Sequence, residues 1–112
     1  MLEKTNRVNL LFDFYGPLFN DRQQQFFEMY YEEDLSLSEI AALVKVSRQA
    51  VFDQLKRMEQ VLKTYEEKLR LVAHYEERQQ RLTQLMQMME REDWERDKIR
   101  SQVKALAQFD ME

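Results

Sequence analysis

The stretch SLSEIAALVKVSRQAVFDQLKR, Ser36 to Arg57, decides the fold. Ser36 can cap a short helix, and Glu39 three residues on can close a capping box by reaching back to the Ser36 amide. Ile40, Ala41 and Val44 then share one helical face, and Ala41 is small enough to let a second helix cross closely. Lys45-Val46 makes the turn, and Ser47 caps the next helix. That helix turns Val51 and Leu55 inward and leaves Arg48, Gln49, Phe52, Asp53 and Lys56 outside. Two capped helices joined so tightly form a helix-turn-helix, whose second helix can enter a DNA major groove. The same geometry also serves as a protein-binding platform, so the motif defines a shape before it defines a function.

Upstream of the motif the pattern stays helical. Thr5 to Tyr15 predicts a first helix, because Val8, Leu11, Phe12 and Tyr15 follow the i, i+3, i+4, i+7 spacing of one buried face. Leu10 and Phe14 lie on a second face, so this helix needs cover on both sides, from the motif and from the C-terminal half or another subunit. Gly16 is expected to take a left-handed C-terminal cap, with Pro17 stopping further helix. Asn20 opens a second helix with Gln23 at the capping-box position, and Glu32-Glu33-Asp34 ends it. Of the 13 aromatic residues, eight fall between Phe12 and Tyr31. That clustering places the main core in this half.

Downstream, nothing in the composition obliges the helix that starts at Arg48 to stop. Val51, Leu55, Met58, Leu62, Tyr65, Leu69 and Val72 alternate spacings of four and three, a heptad pattern. The register slips at Val72-Tyr75, weakens at Gln79-Gln80 and resumes with Leu82, Leu85 and Met89. Run unbroken to Met89, the helix spans roughly 60 Å at 1.5 Å per residue, more than the N-terminal half can cover. It therefore folds back, pairs with another chain, or both, and a hinge is expected near Thr64 or within Ala73-Gln80. Glu92 to Phe109 reads as an amphipathic helix with Ile99, Val103 and Leu106 on one stripe, and Trp94 as a packing anchor at its start. The organisation expected is all-α: a helix-turn-helix domain without a wing over residues 1–64, then a helical extension with coiled-coil-like packing over residues 65–112.

Composition narrows the chemistry. The 112 residues contain one Gly, one Pro and no Cys, which removes thiol catalysis, thiolate metal sites and disulfides. No Gly-rich phosphate loop is present, His74 has no nucleophile pattern around it, and the acidic runs lack the spacing of a calcium loop. No catalytic residue, metal ligand or cofactor is expected. The N-terminus lacks the apolar core of a signal peptide, and no segment approaches a membrane span, so a soluble cytoplasmic protein is expected. Net charge is −4. Residues 20–57 carry five positive and seven negative side chains, a net of −2. Phosphate contacts supply much of nucleic-acid affinity, and an acidic module gains little from them.

The candidate binding surface is Ser47, Arg48, Gln49, Phe52, Asp53, Lys56 and Arg57. Arg48 and Gln49 suit base edges or phosphates. Asp53 opposes phosphate unless Arg57, four residues on, pairs with it. Phe52 is better suited to protein than to DNA, which together with the weak electrostatics puts protein contact ahead of DNA reading. Met86, Met88 and Met89 form a second candidate, since methionine adapts to irregular apolar surfaces. The simpler reading of that stretch is helix packing within the fold or a dimer.

LEKTNRVNLLFDFYG at residues 2–16, LSLSEIA at 35–41, SRQAVFDQLKR at 47–57 and YEEKL at 65–69 together resemble the YlxM-type helix-turn-helix proteins of Gram-positive bacteria. The resemblance covers the first two-thirds of the chain in order. One departure from the common helix-turn-helix pattern is Lys45, where Gly or Asn relaxes a left-handed backbone. Ala41, Val51 and Leu55 are also spaced as in region 4 of bacterial sigma factors, which binds promoter DNA. The resemblance implies an all-helical, non-enzymatic protein. Members of that family are typically encoded beside genes for the signal recognition particle and its receptor. This implies an accessory or regulatory role in protein targeting, with the particle's protein or RNA as partner. The competing expectation is a dimeric DNA-binding transcription regulator that uses the same surface, and homo-oligomerisation through the long C-terminal helices is expected under either.

Overall fold

The computed structural model describes residues 6–91 and 95–109, and the described residues contain helices and turns but no strand. The order is α1 (Asn6–Tyr15), α2 (Asp21–Phe27), α3 (Leu37–Val44), α4 (Arg48–Leu69), α5 (Leu71–Glu90) and α6 (Arg96–Phe109). The protein is all-α, as the sequence predicts. Thr5, Glu92 and Trp94, named above at helix starts, lie outside the described residues.

The chain divides after Arg70 into two compact units. In the first, α1, α2 and α3 pack against α4. Phe26, Met29, Ile40, Ala41, Val51 and Leu55 form one buried cluster, with Tyr30, Tyr31, Leu35, Leu37, Val44 and Val46 packed against it. Val8, Leu11, Tyr15, Phe19, Phe27, Met58 and Leu62 are buried as well. Burying one such side chain contributes roughly 1.5–3 kcal/mol, so these faces outweigh the helix propensities of the segments that carry them. The heptad positions from Val51 to Leu62 are therefore spent on this unit's own core. Tyr65 lies at the same seam, its ring centroid 5.8 Å from Tyr15 and 6.4 Å from Phe19.

Local rules explain the helix starts. Asn20 and Ser36 each form a complete capping box, with Gln23 and Glu39 respectively. Ser47 Oγ accepts from the Ala50 amide at 3.0 Å. The helix ends are less expected. Asp34, Lys45 and Arg70 all adopt left-handed backbone, at φ 57°, 60° and 55°. Gly16 does not take the left-handed cap expected of it; Gly16–Leu18 continue α1 as a 3-10 turn instead. The reason glycine stands there is space, because a Cβ on Gly16 meets the Phe12 ring at 3.1 Å. Between Phe27 and Asp34 the second helix widens into a π-helix over Glu28–Glu32. The long helix breaks at Arg70, outside both expected hinge positions.

In the second unit α5 and α6 pack together. Phe109 is buried, its ring centroid 5.3 Å from His74 and 5.0 Å from the Arg81 guanidinium carbon. His74 is thus a packing histidine. Ile99 and Leu106 are half-buried, while Val103 on the same stripe is exposed, as are Leu82, Met86 and Met89 on α5.

Candidate nucleic-acid interface

The Ser47 cap sets where α4 begins and therefore where its first side chains stand. Arg48 and Gln49 are its first two residues, and both are exposed. At about 100° per residue, Gln49 and Lys56 occupy the middle of one face, with Arg48 and Arg57 at edges about 180° apart. Val51 and Leu55 point the other way, into the core. All seven candidate residues fall on or beside this face; six are exposed and Phe52 is half-buried. They carry three positive side chains and one negative, so the face is locally positive within an acidic module.

Two contacts along the face modify the expectations above. Gln49 Nε2 donates to Asp53 Oδ1 at 2.9 Å, and among the described residues Asp53 forms no ion pair with Arg57. The Gln49 amide holds the carboxylate that opposes phosphate, while Arg57 keeps its donors. Lys56 Nζ lies 5.7 Å from the Phe52 ring centroid. An ammonium over an aromatic face is a stabilising cation–π contact, and it gives this aromatic a charged cover. That weakens the argument from Phe52 toward a protein partner.

Beside the face, the start of α2 and the start of α4 enclose a cleft of about 400 Å3. Asn20, Arg22, Gln23 and Phe26 line one side; Val46, Ala50 and Gln54 line the other.

Over residues 2–103 the sequence matches the family described as "Putative helix-turn-helix protein, YlxM / p13 like". The chain belongs to this family. The match runs well past Tyr75, where the resemblance read from motifs faded. A UPF0122 protein of Bacillus cereus (strain AH187) is 44% identical over 110 residues, 98% of this chain and 100% of the relative. UPF0122 proteins of Bacillus anthracis (strain A0248) and Bacillus thuringiensis subsp. konkukian (strain 97-27) match at the same identity and coverage.

For this YlxM / p13-like chain, the candidate residues read from sequence cover only the solvent side of α4. Arg22 and Gln54, on the cleft, were missed. Gln54 sits between the buried Val51, Leu55 and Met58 and the exposed Asp53 and Arg57, and such a flank position is the signal that could have drawn attention to it. Arg22 had no comparable signal, because only the fold brings α2 beside α4. Among the described residues, no group of three or more His, Asp or Glu side chains is placed to hold a metal ion. No described helix is long and apolar enough to cross a membrane.

Proposed function

We propose that this chain is a non-enzymatic accessory protein of the signal recognition particle pathway. It binds a component of the particle, RNA or protein, through the α4 face from Ser47 to Arg57, in the cytoplasm. The observation that carries the surface is the capped start of α4, which presents Arg48 and Gln49 to solvent beside Lys56 and Arg57. The pathway rests on what the family resemblance implies. The locally positive face and the covered Phe52 ring favour RNA over protein as the component touched. The proposal includes self-association through the C-terminal helices, supported by exposed Leu82, Met86, Met89 and Val103; sedimentation equilibrium measures it.

The second reading is a DNA-binding transcription regulator, favoured by the same Arg48–Gln49 pair at the start of a second motif helix. Affinity capture of the tagged chain from its native cytoplasm, with and without nucleases, separates the two. Recovery of particle components supports the targeting role, and their loss on RNase treatment assigns the contact to RNA. Discrete DNA fragments, lost with Arg48→Ala, transfer the conclusion to transcription.

A further inference from the structure

On its α2 side, the cleft between α2 and α4 has a one-sided hydrogen-bonding inventory. Asn20 Oδ1 accepts from the Gln23 amide at 2.8 Å, and Gln23 Oε1 accepts from the Asn20 amide at 3.0 Å. With both oxygens engaged, each carboxamide offers the cleft its NH2 group, a donor. Arg22 adds a guanidinium, which donates and never accepts. Its Cζ lies 5.6 Å from the centroid of the buried Phe26 ring. From α4, Gln54 supplies a carboxamide able to donate and accept. Among the described residues these side-chain donors have no hydrogen-bond partner.

A bound group should therefore be rich in acceptors, flat enough to lie along a guanidinium plane, and neutral. Neutrality is favoured because, among the described residues, Arg22 is the one charged side chain lining the cleft and Asp21 lines the adjoining crevice, so a phosphate would meet a single cation with a carboxylate nearby. Unpaired nucleobases have this chemistry and are read by amide hydrogen bonds and by stacking on arginine or aromatic planes. Uracil and guanine present carbonyl acceptors on the edge where cytosine and adenine present an amino donor. The cleft also adjoins the candidate face, because Asp53 and Arg57 follow Ala50 and Gln54 round the helix. We infer that the cleft holds one unpaired, acceptor-rich nucleobase, uracil or guanine, of a single strand whose backbone crosses the α4 face. This rests on the reading of that face as a nucleic-acid surface.

The test is fluorescence anisotropy of the full chain with labelled oligouridylate, oligocytidylate and oligoadenylate of equal length at fixed salt. Oligouridylate should bind about tenfold more tightly than oligocytidylate, the size of one well-made base contact. Oligothymidylate over oligodeoxycytidylate should show the same order. Gln54→Ala should bring the uridylate-to-cytidylate ratio to within about twofold, and Arg22→Ala gives a second reading from outside α4 if Gln54→Ala lowers the melting temperature. Arg48→Ala should weaken all oligomers together and keep the ratio. Equal binding of uridylate and cytidylate, or a preference that survives both cleft variants, overturns the inference. Capture of particle components without any oligomer preference overturns the cleft and leaves the proposed function standing. A uridylate preference that both cleft variants abolish, with no particle component captured, leaves the cleft standing and overturns the proposed role in targeting.

Discussion

Tyr15 donates its phenolic hydroxyl to Glu66 Oε1 at 2.6 Å across 51 positions of sequence. The bond ties the end of α1 to α4 beyond the helix-turn-helix core, where Tyr65 already packs on Tyr15. The Tyr15 side chain is fully buried. Tyr15→Phe keeps the ring and removes only the donor, and hydrogen bonds to charged groups are worth about 1.5–3 kcal/mol. Thermal unfolding should show a loss in this range, while an unchanged melting temperature would mean that water replaces the phenol at no cost.

Lys45 holds the turn of the motif at φ 60° and ψ 46°. A left-handed residue with a Cβ costs about 1–2 kcal/mol, part of which glycine gives back by loosening the unfolded chain. Lys45→Gly should therefore stabilise the protein by about 0.5–1 kcal/mol, read from denaturant midpoints. A destabilised variant would show that the lysine side chain makes a compensating contact.

At Gly16 the sign reverses. Its backbone is not left-handed, so Gly16→Ala meets no conformational barrier, but the new methyl presses on the Phe12 ring. That ring is stacked on Phe27 with centroids 3.8 Å apart and cannot easily retreat. Overpacking of this kind costs about 1–3 kcal/mol. Chemical denaturation of Gly16→Ala measures it, and a neutral result would assign the glycine no packing role.

Arg48→Ala touches no core residue and should leave the melting temperature within about 2–4 °C, since exposed substitutions stay within about 0.5 kcal/mol. Binding should fall, and the salt dependence should be shallow. With only Arg48, Lys56 and Arg57 available to phosphates, the slope of log K against log salt should not exceed about −2 for a single strand. A steeper slope would place further cations, outside this face, in the complex.

The helix starts were legible because caps are written in local chemistry: Asn20, Ser36 and Ser47 each have a side-chain oxygen that satisfies the amide three residues on. The stops at Glu32-Glu33-Asp34 and at Lys45-Val46 fell where the sequence placed them, but the stop at Arg70 did not, because Arg70 takes left-handed backbone without being glycine. The one glycine, where a left-handed cap was expected, serves ring packing instead. Around Arg70, LRLV carries no breaker, so the hinge fell between the two positions that the apolar pattern suggested. On the candidate site, exposure of Arg48 and Gln49 followed from helical phase. The Gln49–Asp53 bond and the cover of Phe52 by Lys56 depend on rotamers, which spacing does not specify. The cleft needed two elements distant in sequence, and periodicity within one element cannot reveal it.

The π-helix at Glu28–Glu32 closes with Glu33 N donating to Glu28 O at 2.8 Å. A five-residue reach accommodates one residue more than an ordinary turn over a similar rise. That surplus sets the angular phase at which Tyr31 leaves the backbone, and its hydroxyl donates to the buried Glu59 at 3.1 Å. Rewinding the same residues to the narrower coil, with none removed, would swing Tyr31 by most of the roughly 100° that one residue spans, away from that acceptor. The wide turn is thus the slack that takes up one residue without moving the interior polar contact: removing Glu28 leaves Tyr31 facing Glu59, an alanine inserted after Glu28 turns it away, and thermal unfolding should show the larger loss for the insertion.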